Sequence, residues 1–128
     1  MINELAKQAY ENAKAKGFYE EPIEMGTRLA LIHSEVSEAL EADRKNRHAV
    51  KSSNLDDIDI LELAPPSTKM YFRQEFEVAI KDTFEDELAD IMIRVMDLAA
   101  YKGIDLEYHI KMKMAYNSTR EYKHGKSY

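Results

Sequence analysis

Two long stretches of this chain carry apolar residues at helical spacing, and that periodicity limits the fold more than any other feature. Met25, Leu29, Ile32, Val36 and Leu40 recur at intervals of three and four, and so, for the most part, do Phe84, Leu88, Ile91, Met92, Val95, Leu98 and Ala99. A period of 3.6 residues puts each set on one side of an α-helix. Only four Gly and three Pro interrupt the 128 residues, too few for the frequent turns of a β-fold. The expectation is an all-α fold, a four-helix-type bundle in one domain spanning residues 1–128.

Punctuation residues set the boundaries. A first helix is expected from about Asn3 to Lys16, stopped by Gly17, a residue suited to the left-handed position past a helix end. Pro22 fits the first turn of a second helix running to about Asn46. A third includes Phe84 to Tyr101 and ends at Gly103; Asp105 is a natural N-cap for a fourth, reaching about Arg120. Residues 47–67 read as a long insertion without a clean period, closed by the helix-breaking pair Pro65–Pro66. Ser67 is placed to cap a further helix, and Thr83 followed by Asp86 resembles a capping box. One long helix or two therefore run from Ser67 to Tyr101. The tail from Glu121 is polar and expected to be irregular.

The formal net charge of −6 argues against broad attraction to a nucleic-acid polymer or an anionic membrane. No cysteine is present, which removes disulfides, thiolate metal sites and a cysteine nucleophile, and is compatible with a reducing cytosol. No stretch resembles a signal peptide or approaches the apolar length of a membrane span. A cytoplasmic protein is expected.

Chemistry concentrates in two acidic pairs. Glu35 and Glu38 stand at i, i+3 on the second helix, and Glu87 and Asp90 repeat the spacing on the third. Each pair projects from neighbouring positions on its helix surface. Two such helices side by side can aim four carboxylates into one space, an arrangement for a hard cation. Glu35 and Glu38 fall between the main apolar stripe and a second apolar side marked by Leu31 and Ala42. Glu87, Asp90 and Arg94 flank one edge of the other stripe. Acidic pairs of this spacing are also common on solvated helix faces, and Glu41, Asp43, Glu85 and Asp86 read as such. What lifts the two pairs above that reading is their repetition on two apolar helices.

The fourth helix changes character along one face, from Leu106 and Ile110 to Lys113, Asn117 and Arg120. Those three suit a phosphate, with Arg as a fork and Lys as a point charge; they read equally as a basic helix end complementing the macrodipole. For Lys123, His124 and Lys126 the second reading is favoured. His33 reads first as a packed residue beside the core stripe and second as a substrate contact. Phe18 and Tyr19 suit either an aromatic base or packing. Met92, Met96, Met112 and Met114 read as core filler or interface.

In order, the stretches LALIHSEVSEALEADRK, EDELADIMIRVMDLAAYKGIDLE and KMKMAYNSTREYKHGK resemble the MazG-like, all-α nucleoside triphosphate pyrophosphohydrolases. The family's Glu-Glu-x-x-Glu element corresponds to Ser34-Glu35-Val36-Ser37-Glu38, and its Glu-x-x-Asp element to Glu87-Leu88-Ala89-Asp90. The resemblance covers about two-thirds of the chain. It implies that Glu35, Glu38, Glu87 and Asp90 hold Mg²⁺, with Mn²⁺ as a substitute, and that a nucleoside triphosphate is cut to monophosphate and pyrophosphate. It also implies phosphate contacts from Lys113, Asn117 and Arg120, and assembly as a homodimer or homotetramer.

Two departures stand out. Ser34 replaces the first Glu of the doublet, and the link between the two motifs is longer than the family's. Nor is there a Trp to line a base pocket. Within the expected mechanism Glu38 is assigned as the base that accepts a water proton. A di-iron bundle is disfavoured because neither Glu35 nor Glu87 is followed by a His three residues on. The alternative is a non-catalytic nucleotide-binding or helical interaction module.

Overall fold

The computed structural model describes residues 1–52, 55, 56 and 63–127. Five α-helices account for most of them: α1 (Ile2–Ala15), α2 (Met25–Arg44), α3 (Pro66–Ala79), α4 (Phe84–Tyr101) and α5 (Leu106–Ser118), followed by a 3₁₀ turn at Tyr122–Gly125. No strand occurs among the described residues. The all-helical expectation holds, with a helix more than the four main ones read from the sequence. None of the described helices is long and apolar enough to cross a membrane. Much of the 47–67 insertion, namely residues 53, 54 and 57–62, lies outside the described residues.

The helix boundaries follow local chemistry. α1 ends where Gly17 adopts φ +88°, a conformation that costs glycine little. Phe18 and Gly17 then donate their N–H groups to the carbonyls of Ala13 and Lys14. Pro22 does not open α2, which begins three residues later at Met25. Between α3 and α4, Asp82 takes a left-handed φ of 60°, tolerated by a short polar side chain. This turn answers the one-helix-or-two question in favour of two. Ser67 does not cap α3; Pro65 holds the N-cap position and Pro66 the first turn, where a missing N–H costs nothing. Thr83 Oγ1 accepts from the Asp86 N–H at 3.3 Å, as the capping-box reading requires. The reciprocal arm goes elsewhere, since the Asp86 carboxylate takes the Asp82 N–H at 2.9 Å. Asp105 caps α5 as expected, accepting from the Tyr108 N–H at 3.0 Å.

The chain forms two compact units, Met1–Arg28 with Ile93–Tyr128, and Leu29–Met92. In the first, α1 packs on α5. Asn3 joins them reciprocally: Nδ2 donates to Asp105 at 2.7 Å and Oδ1 accepts from the Glu107 N–H at 3.1 Å. Ala6, Met96 and Ala99 are buried here. Arg28 lies over the rings of Tyr19 and Tyr101, 3.9 and 5.0 Å from their centroids. Tyr10 meets Tyr19 edge-on, and the Tyr19 hydroxyl donates to Asp97. Burial and that carboxylate push the Tyr19 phenol well above its usual range.

The second unit holds Leu29–Arg44 of α2, all of α3 and Phe84–Met92 of α4. Its buried face on α2 is Glu35, Ala39 and Ala42, not the Leu29–Val36–Leu40 stripe expected from periodicity. Alanines allow the closest approach of a neighbouring backbone, and the larger stripe is left 48–50% exposed. On α4, Leu88 and Met92 are similarly exposed at 44% and 46%. Residues 47–50 are pinned to the neighbouring helix ends: the Phe84 N–H donates to Arg47 O, and the Val50 N–H to Ala79 O. Glu85 accepts from the Ala49 N–H at 2.8 Å and lies 3.2 Å from His48 Nδ1. That backbone donor is the main reason its carboxyl titrates below the ordinary range.

Candidate metal centre

Glu35 and Glu38 come from α2 and Glu87 from the first turn of α4, all within the second unit. One carboxylate oxygen from each lies within 4.8 Å of the other two. Spacing of three residues brings Glu35 and Glu38 to one side of α2, and the Thr83 cap fixes where α4 begins and hence where Glu87 points. Glu35 and Glu87 are only 6% and 5% exposed, whereas Glu38 is exposed. Buried acidic side chains are rare unless compensated. Loss of hydration raises the Glu87 pKa most, and the negative charges of Glu38, Asp90, Asp86 and Glu35 raise it further.

Asp90, half-buried, is not in that oxygen trio, but borders the same cleft of about 400 Å³ as Glu38 and Glu87. The four sequence-read acids are thus three that converge and one alongside. A second trio, Asp82, Asp86 and Glu87, shares Glu87 with the first. Asp86, read from the sequence as a solvated carboxylate, is half-buried and lines the cleft. An all-carboxylate donor set is the chemistry of hard divalent cations, and Glu35, Glu38 and Glu87 are the residues that could hold one.

Five lining residues were not among the site candidates read from the sequence: Arg73, Phe76 and Glu77 of α3, and Lys81 and Asp82 of the turn after it. The Arg73–Glu77 spacing of i, i+4 signals a paired surface face, and the Nε–H of Arg73 does donate to Glu77 at 2.9 Å. Their proximity to the acids depends on α3 and α4 doubling back at Asp82, which no local pattern specifies.

The remaining candidates lie apart from this cluster in character. Lys113, Asn117 and Arg120 belong to the first unit. Lys113 and Arg120 both face the Tyr116 ring, 5.0 and 5.6 Å from its centroid. Arg120 also donates to the His124 carbonyl at 3.3 Å. The Asn117 Oδ1 is buried with no hydrogen-bond partner. His33 is exposed rather than packed, and Phe18 is 62% exposed, whereas Tyr19 is half-buried in its aromatic cluster. Met96 is buried, but Met92, Met112 and Met114 are exposed. Ser34 donates its hydroxyl to the Leu31 carbonyl at 2.6 Å, the usual local bond of a mid-helix serine. Comparison with protein families, with curated proteins and with solved structures found no match to this chain.

Proposed function

We propose that this chain is a magnesium-dependent nucleotide pyrophosphohydrolase of the MazG-like kind, cleaving a (deoxy)nucleoside triphosphate to monophosphate and pyrophosphate. The observation that carries the reading is the convergence of Glu35, Glu38 and Glu87 within 4.8 Å, two of them buried. Loss of hydration and the neighbouring negative charges raise the Glu87 pKa, a cost that a shared cation would relieve. Bound there, Mg²⁺ would neutralise a triphosphate and lower the pKa of a coordinated water. Glu35 and Glu87 hold the fixed, desolvated side of the cluster. Glu38, exposed at the cleft, is the carboxylate placed to accept a proton from an attacking water. Asp90 borders the substrate side. A phosphate role for Lys113, Asn117 and Arg120 is supported by their residue chemistry and by the motif resemblance.

A homodimer or homotetramer is part of this proposal. Leu29, Val36 and Leu40 on α2 and Leu88 and Met92 on α4 are each 44–50% exposed, an apolar face for a second copy to cover. Sedimentation velocity tests it, with a monomer at micromolar concentration counting against it.

The activity is tested by pyrophosphate release from a panel of dNTPs and NTPs, with Mg²⁺ and with chelator. Release that requires Mg²⁺ supports the hydrolase. Ser34, which lacks the carboxylate of the family doublet, favours the second reading, a non-catalytic nucleotide-binding module. Binding without release under every condition would establish that reading instead.

A further inference from the structure

We infer that Arg73 is the phosphate-binding residue of the acidic cleft, with Lys81 as a second cation on the same wall; this deepens the hydrolase reading and rests on it. Arg73, Phe76 and Glu77 line the cleft from α3, and Lys81 lines it from the following turn. The rest of the lining is Glu38, Asp82, Asp86, Glu87 and Asp90. All of these side chains belong to the second unit. The lining therefore carries both signs of charge, with carboxylates in excess. A bare polyanion would be repelled by it. A polyphosphate carrying its own divalent cation satisfies both walls.

The two cations are already oriented. Glu77 accepts the Arg73 Nε–H, and that bond leaves to the terminal nitrogens the fork that matches a phosphate. Asp82 accepts from Lys81 Nζ with both oxygens, at 2.8 and 2.9 Å, holding the ammonium as a point charge at the turn. The α3 segment, which lies in the long link between the two acidic motifs, then supplies a wall of the site rather than a spacer.

The test compares wild type, Arg73→Ala, Arg73→Lys and Glu38→Gln by nucleotide kinetics and by Mn²⁺ binding followed by electron paramagnetic resonance. Binding of inorganic pyrophosphate with Mg²⁺, followed by calorimetry, is the third readout. The Arg73 side chain is 80% exposed, so its removal leaves the fold intact. Arg73→Ala should raise KM about tenfold to hundredfold with kcat nearly unchanged, since a contact made equally in ground and transition states is lost. It should weaken pyrophosphate binding similarly and leave Mn²⁺ binding at the wild-type level, with Arg73→Lys intermediate. Glu38→Gln should instead weaken Mn²⁺ binding. If wild type binds Mn²⁺ and turns over while Arg73→Ala keeps its KM and pyrophosphate affinity, the inference is overturned and the hydrolase reading stands. If wild type neither binds Mn²⁺ nor releases pyrophosphate, both are overturned.

Discussion

Glu87→Gln replaces one carboxylate oxygen by an amide nitrogen and leaves the shape of the side chain almost unchanged. In the metal-free protein this should stabilise the fold, against the usual trend for substitutions at a 5% exposed position. Two unit charges 4.8 Å apart, the outer limit of the trio, repel by about 3.5 kcal/mol at an effective dielectric of about 20. Protonation of Glu87 relieves part of that in the wild type, and solvent screens the exposed Glu38, leaving a net gain of about 1–2 kcal/mol. For 128 residues this is a rise in Tm of about 4–7 °C, read by scanning calorimetry in chelator at neutral pH. The pH dependence has a fixed sign. Because folding raises the Glu87 pKa, the native state binds more protons than the unfolded state between the ordinary and raised values. This group's contribution to stability therefore falls as pH rises through that window. The gap between variant and wild type should be widest at neutral pH and close on acidification. Saturating Mg²⁺, at about 100 times its Kd, should add about 2.7 kcal/mol to the wild type and little to the variant. A variant that melts at or below the wild-type temperature in chelator at neutral pH would refute the reasoning.

Three further substitutions probe the account. Glu38→Gln should lower kcat at least about a hundredfold while nucleotide binding stays detectable by calorimetry; unchanged turnover would remove Glu38 from the chemistry. Asn3→Ala removes the two bonds that the Asn3 side chain makes to Asp105 and to the start of α5 and should cost about 1 kcal/mol, or about 4 °C in Tm. The same bond is the main reason Asp105 titrates below its ordinary range, so its stabilising effect is present above that ordinary value and lost as pH falls through the lowered one. The penalty of Asn3→Ala should accordingly shrink in acid melts. Tyr19→Phe keeps the ring against Arg28 but loses the hydroxyl bond to Asp97; a loss of about 1–2 kcal/mol in denaturant unfolding is expected.

What could be read in advance was local. Gly17, Gly103, Thr83 and Asp105 marked helix ends because caps and left-handed positions are set by neighbours in sequence. The i, i+3 acid pairs were legible for the same reason. The choice of buried face was not: the Leu29–Val36–Leu40 stripe outweighs Glu35–Ala39–Ala42 in hydrophobicity, yet the small face is buried and the large one half-exposed. Periodicity reports which residues share a side, not which neighbour covers it. Arg73, Phe76, Glu77, Lys81 and Asp82 were not legible as site residues because they join the acids only through the turn at Asp82. Pro22 misled because proline suits a first helical turn without requiring one.

Divalent-cation binding tests the central claim most directly. Titration of wild type with Mn²⁺, followed by electron paramagnetic resonance, should show stoichiometric binding that Mg²⁺ displaces and that Glu35→Gln and Glu87→Gln each abolish or strongly weaken. Mn²⁺ that stays free in solution with folded wild type, or binding that survives both substitutions, would contradict the account.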